Sequence, residues 1–120
     1  LAELSFHFGM LTPLTSKPMK LHTLTVETKK TIRVTRKDFA ALDIVESEFG
    51  NPHYDRTQLV GDAAGFLGYD GIIVPSARWD CENLVIFSDN HAIDLPMSLR
   101  ASENIDWQQW ARQHGFIKPE

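Results

Sequence analysis

Two short apolar runs, Ile72-Ile73-Val74 and Leu84-Val85-Ile86-Phe87, stand on either side of a polar stretch that begins Pro75-Ser76-Ala77-Arg78, and this pattern constrains the chain more than any other. Both runs are rich in β-branched residues and short enough to be strands buried on both faces. Pro75 has no N–H to give to a ladder and holds Val74 extended, so the first strand should end there and leave Ser76 and Arg78 at a sheet edge. The stretch reads either as a core hairpin with an exposed tip or as a rigid frame from which a hydroxyl and a guanidinium project to do chemistry.

The chain has 120 residues, which predicts a single domain over 1–120 with a real core. No run approaches the roughly 18 consecutive apolar residues of a membrane helix, so a soluble protein without a membrane partner is expected. Net charge is −4, and the basic residues are scattered except for Lys29, Lys30, Arg33, Arg36 and Lys37. No aromatic side chains interleave that cluster for base stacking, so it reads as a solvated hairpin edge, with no direct nucleic-acid binding. The single cysteine, Cys81, has no partner for an intramolecular disulfide, which favours a reducing compartment, the cytoplasm. The sequence opens at Leu1 without a signal peptide, and a preceding segment is expected.

Leu1, Leu4 and Phe8 share one face of an initial helix that Gly9 should stop, and Glu3 and His7, four residues apart, project together from it. Residues 10–18 read as a loop, 21–27 and 31–35 as strands joined by a hairpin turn at 28–30. Thr35 and Asp38 should cap a helical turn running to Leu42 with Phe39 and Leu42 inward, and 43–54 should cross between sheet layers. A helix from Asp55 would place Leu59, Val60, Ala63, Phe66 and Leu67 on one broad face and end at Gly68. A short strand over 91–95 and a last helix over 104–114, packed through Ile105, Trp107, Trp110 and Ala111, complete an α+β domain.

No spacing of Cys, His or carboxylates points to a metal, and Gly61, Gly65 and Gly68 lie in or at the end of a helix rather than after a strand, so no phosphate loop is present. Ser76 sits in Val-Pro-Ser-Ala-Arg rather than in a Gly-x-Ser-x-Gly elbow, which argues against a serine hydrolase.

Taken in order, Leu1-Ala-Glu-Leu-Ser-Phe-His, Tyr54-Asp-Arg-Thr-Gln-Leu-Val-Gly-Asp, Gly71-Ile-Ile-Val-Pro-Ser-Ala-Arg and Asn83-Leu-Val-Ile-Phe resemble the RES-domain family, named for an Arg, a Glu and a Ser. The resemblance covers most of the chain in outline, and its specific motifs lie between Tyr54 and Phe87. It implies a small split β-sheet core with flanking helices, similar to the ADP-ribosyltransferase fold, and an NAD-consuming toxin of a bacterial toxin–antitoxin pair. The family's Glu falls on Glu3 and its Ser on Ser76, while its Arg has no counterpart and would lie upstream of Leu1.

The implied reaction breaks the bond between nicotinamide and ribose, with NAD as substrate and no other cofactor. Positive charge builds on the sugar, and a carboxylate such as Glu3 can stabilise it. Ser76 would orient the substrate. Arg78 is a candidate for the pyrophosphate, against the alternative of a surface pairing with Asp80 or Glu82. Asn83 is the second candidate for substrate binding, with a structural role in the turn as its alternative. The implied partners are a helix-turn-helix antitoxin and, if ADP-ribose is transferred to protein, a protein target. Water, phosphate and protein side chains all stay open as acceptors. The competing reading is a catalytically inactive RES-like module that binds protein.

Overall fold

The structure, a computed structural model, describes residues 1–119 and divides into two compact units, Leu1–Thr25 with Met97–Glu120, and Val26–Pro96. Its architecture is the expected α+β one, with two small sheets and three α-helices among the described residues.

The unit Val26–Pro96 is built on a three-stranded sheet in the order β2–β3–β4, where β2 is Thr31–Arg33, β3 is Gly71–Pro75 and β4 is Glu82–Ile86. β3 and β4 are antiparallel in the register Val74 to Asn83 and Pro75 to Glu82, so the hairpin expected at Pro75 forms and ends there. Only β3 is deeply buried. β4 lies at the sheet's edge with Leu84 and Val85 each nearly half exposed, which corrects the expectation of two strands covered on both faces.

β2 runs parallel to β3, with Ile32 opposite Ile72. A parallel neighbour requires a crossover, and the helix α2, Asp55–Phe66, supplies it. Residues 43–54 therefore lead from one strand of a sheet towards a helix that returns to the same sheet, and do not cross between sheets.

The hairpin expected at 28–30 does not form either. The strand before it, β1, Met19–Val26, pairs with β5, Met97–Ile105, in the two-stranded sheet. What shapes the turn is Asp70, a buried residue whose carboxylate accepts the backbone N–H groups of Lys29 at 2.6 Å and Lys30 at 3.0 Å. Those bonds, that of Lys29 first, hold the Asp70 carboxyl below its ordinary value.

Thr35 and Asp38 form the expected capping box around a 3-10 turn, Arg36–Asp38, and the core gathers Val34, Phe39, Ile44, Ala64 and Ile72. α2 faces that core with Thr57, Val60, Gly61 and Ala64, at the helical spacing of three and four. Of the expected face, Val60 packs against that core, Leu59, Ala63 and Leu67 line an open cavity beside it together with Val34 and Ile72, and Phe66 points away, 91% exposed. Lys30 Nζ donates to Leu67 O at 3.1 Å, and Asn90 Nδ2 donates to Gly65 O and Tyr69 O, so side chains close the carbonyl end of α2 where Gly68 turns at φ +84.

In the other unit, α1, Ala2–Phe8, packs on α3, Trp107–Gln113, with Phe8 edge-on to buried Trp107 at 5.5 Å. Trp107 Nε1 and Gln108 Nε2 both donate to Thr15 O, which pins the loop after α1. Two further expectations fail, one in each unit. Residues 91–95 are turns rather than a strand, and Asn104 and Ile105 end β5 rather than open a helix. α3 starts after Asp106, whose side chain accepts the Gln109 N–H at 3.0 Å as an N-cap.

Candidate functional site

Beyond Pro75 the chain turns back on itself within a few residues, because Ser76 N–H donates to Cys81 O at 2.8 Å and Cys81 N–H to Trp79 O at 2.9 Å. Ser76 is buried, and its Oγ accepts the N–H groups of Arg78 at 3.1 Å and Trp79 at 3.3 Å. This is a serine turn, in which a hydroxyl takes the place of a backbone carbonyl. The hydroxyl expected to project from a rigid frame is therefore seated inside the turn that it closes. Both acceptor positions are used, and the O–H proton is what the group can still offer to a ligand.

Around this turn lies an open cavity of about 470 Å³ lined by Arg36, Pro75, Ser76, Ala77, Arg78, Trp79, Asp80 and Cys81. Arg78 reaches back over Gly50 so closely that a Cβ built there would stand 3.1 Å from its Nη1. Glu82, one of the carboxylates considered for Arg78, forms an ion pair with Arg33 at 3.0 Å. Asn83 sits on β4 opposite Val74 and is not among the residues lining the cavity.

Arg36 is the residue that sequence reasoning missed. It was grouped with a solvated hairpin edge, whereas its guanidinium donates to Ser76 O at 3.3 Å, pairs with Glu46, and lies 5.8 and 5.4 Å from the ring centroids of Phe39 and Phe49. Of the rest of that cluster, Lys30 lies 4.6 Å from the Tyr69 ring centroid and Arg33 is paired with Glu82. The Thr35 and Asp38 capping box was the available signal, since it fixes how the chain leaves β2 and hence where the next residue, Arg36, points. The cavity thus has two guanidinium groups where the sequence offered only Arg78.

Glu3 belongs to the other unit. It lies on α1, half exposed, with its carboxylate 3.7 Å from His7 Nε2, an i,i+4 pair that is ionic when the imidazole is protonated. Ser76 and Arg78 are thus brought together, and Glu3 stands on a separate unit. Among the described residues no three His, Cys, Asp or Glu side chains are grouped to hold a metal ion, and no helix is long and apolar enough to cross a membrane.

Residues 1–108 match the sequence profile of the RES domain. A chain of the M. tuberculosis MbcT–MbcA toxin–antitoxin complex, solved by crystallography, has a similar fold, with a TM-score of 0.64 and 22% sequence identity. At that identity the likeness is one of fold. The match covers 82% of this chain and 54% of the other, so the chain spans about half the length of that neighbour. No curated protein matches the sequence.

Proposed function

The chain belongs to the RES-domain family, and on that premise we propose that it is part of a toxin of a toxin–antitoxin pair that degrades NAD at the nicotinamide–ribose bond. The match over residues 1–108 carries this reading. The fold neighbour supports its coarser half, since it comes from a toxin–antitoxin complex.

The chemistry assigned here is a substitution at the anomeric carbon of the ribose. The bond to nicotinamide breaks, the leaving group departs with the electron pair, and the sugar carries positive charge until an acceptor bonds to it and loses a proton. A carboxylate stabilises that charge where it develops, which is the role assigned to Glu3. Ser76 keeps one O–H with which to orient the dinucleotide, and Arg78 matches the oxygens of a pyrophosphate. Water makes the protein a glycohydrolase, inorganic phosphate a phosphorylase, and a protein side chain an ADP-ribosyltransferase. Asn83, on the edge strand, is assigned a supporting role in substrate binding.

A toxin that consumes NAD works where NAD and its antitoxin are, in the cytoplasm, and the proposed partner is an antitoxin of the helix-turn-helix kind. One observation favours the second reading, a catalytically inactive RES-like module that binds protein: the Ser76 hydroxyl already closes its own turn.

The test is expression of the complete protein in bacteria, alone and with the neighbouring open reading frame, while NAD and growth are followed. The proposal expects NAD to fall before growth stops and the neighbour to prevent both. Unchanged NAD with an abundant, folded protein favours the inactive module.

A further inference from the structure

We infer that Arg36 is a positioning residue for the Ser76 turn, an inference that deepens the proposed NAD-consuming reading and rests on it. The two arginines beside Ser76 are both seated on one short segment. Glu46 and Phe49 hold Arg36, and Gly50 lies under Arg78.

Every other polar atom of Ser76 already has a bond that fixes it. Its N–H is held by Cys81 O, and its Oγ by the N–H groups of Arg78 and Trp79. Its carbonyl is held from outside the turn by Arg36, at 3.3 Å. With those bonds in place the hydroxyl proton takes the one position left on Oγ, so the direction in which Ser76 can donate is set by the turn.

The Arg36 to Glu46 pair joins two half-exposed side chains and adds little stability by itself. Its effect is directional. One planar guanidinium gives one nitrogen to Glu46 and another to Ser76 O while it lies over the rings of Phe39 and Phe49. Lysine keeps the charge, but a single ammonium on a flexible stem cannot reproduce a fork that joins two segments. Misplacement of a positioned group by a fraction of an ångström to an ångström lowers rates by an order of magnitude or more.

The experiment compares the complete wild-type protein with Arg36→Lys and Glu46→Gln by NAD turnover, thermal unfolding and amide hydrogen exchange. Arg36→Lys should lower kcat on the order of tenfold with KM changed less than about twofold. Unfolding temperature should hold within a few degrees, and the N–H groups of Ser76, Arg78 and Trp79 should exchange faster. Glu46→Gln should shift the same readouts in the same direction by less, and it decides the matter if Arg36→Lys does not fold. Unchanged kcat and unchanged exchange would overturn the inference. So would a rise in KM at constant kcat, which would make Arg36 a substrate-binding group instead. Absence of turnover by the wild-type protein contradicts the NAD reading alone, and the exchange rates then decide whether Arg36 orders the turn.

Discussion

The buried carboxylate of Asp70 accepts the Lys29 N–H at 2.6 Å, across 41 positions of sequence, and so replaces the hairpin that the local pattern of residues 21–35 called for. Because this bond and that of Lys30 favour the ionised form, the folded pKa lies below the ordinary 3.8. The stabilisation is complete above that ordinary value and is lost as pH falls through the lowered one. Asp38, lowered by its bonds to the Thr35 backbone and hydroxyl, acts in the same direction. Asp70→Asn should therefore lower the denaturation midpoint at pH 7 and shrink the further loss on acidification towards pH 2, while leaving the share due to Asp38. Equal acid sensitivity of variant and parent would contradict this.

The orientation of α2 makes a second prediction. Phe66→Ser, on the exposed side, should alter stability by no more than about 0.5 kcal/mol, whereas Ile72→Ala in the core should cost about 2–4 kcal/mol. Urea denaturation of both variants gives the comparison. A large loss on changing Phe66 would show that the helix buries this side as well.

What local rules could reach explains which parts of the fold were legible. The stop at Gly9, the Thr35 and Asp38 box and the end of β3 at Pro75 each rest on neighbouring residues, and each is present. β5 was missed although Met97, Leu99, Ala101 and Ile105 recur at a period of two, because Asn104 and the tryptophans beyond drew the helix too early. α2 was placed within its bounds and Val60 does meet the core, but Phe66 does not, since Leu59, Val60, Ala63, Phe66 and Leu67 are apolar around more of the helix than one core can cover. In the candidate site, Ser76 and Arg78 share a motif, and the structure brings them together in one cavity. Arg36 is joined to them only through contacts 10 and 40 positions away in sequence, which no periodicity records.

Ser76 has a structural duty separable from any catalytic one. Ser76→Ala removes the acceptor of two N–H groups in a buried turn and should cost on the order of 1–2 kcal/mol of stability. Ser76→Thr keeps the oxygen and should recover part of that loss. Thermal unfolding of the pair checks it, and an Ala variant as stable as the parent would show that the turn does not depend on the hydroxyl.

Gly50→Ala probes the cavity from its far side. The new Cβ would meet Arg78 Nη1 at 3.1 Å, and the end of that flexible side chain must give by a few tenths of an ångström. If Arg78 binds the pyrophosphate as proposed, KM for NAD should rise several-fold with kcat less affected and folding intact. Unchanged KM would remove Arg78 from the binding site.

If this RES-family chain takes part in cleaving NAD through Glu3, as proposed, chromatography of NAD and nicotinamide after incubation with the purified complete protein shows it. Parallel reactions with and without inorganic phosphate identify the acceptor. One nicotinamide should be released per NAD lost, and Glu3→Gln should lower kcat by at least about a hundredfold, roughly 2.7 kcal/mol, with NAD binding largely kept, because the carboxylate acts on charge present only in the transition state. NAD left intact by the folded wild-type protein, or cleaved at the parent rate by Glu3→Gln, would contradict it.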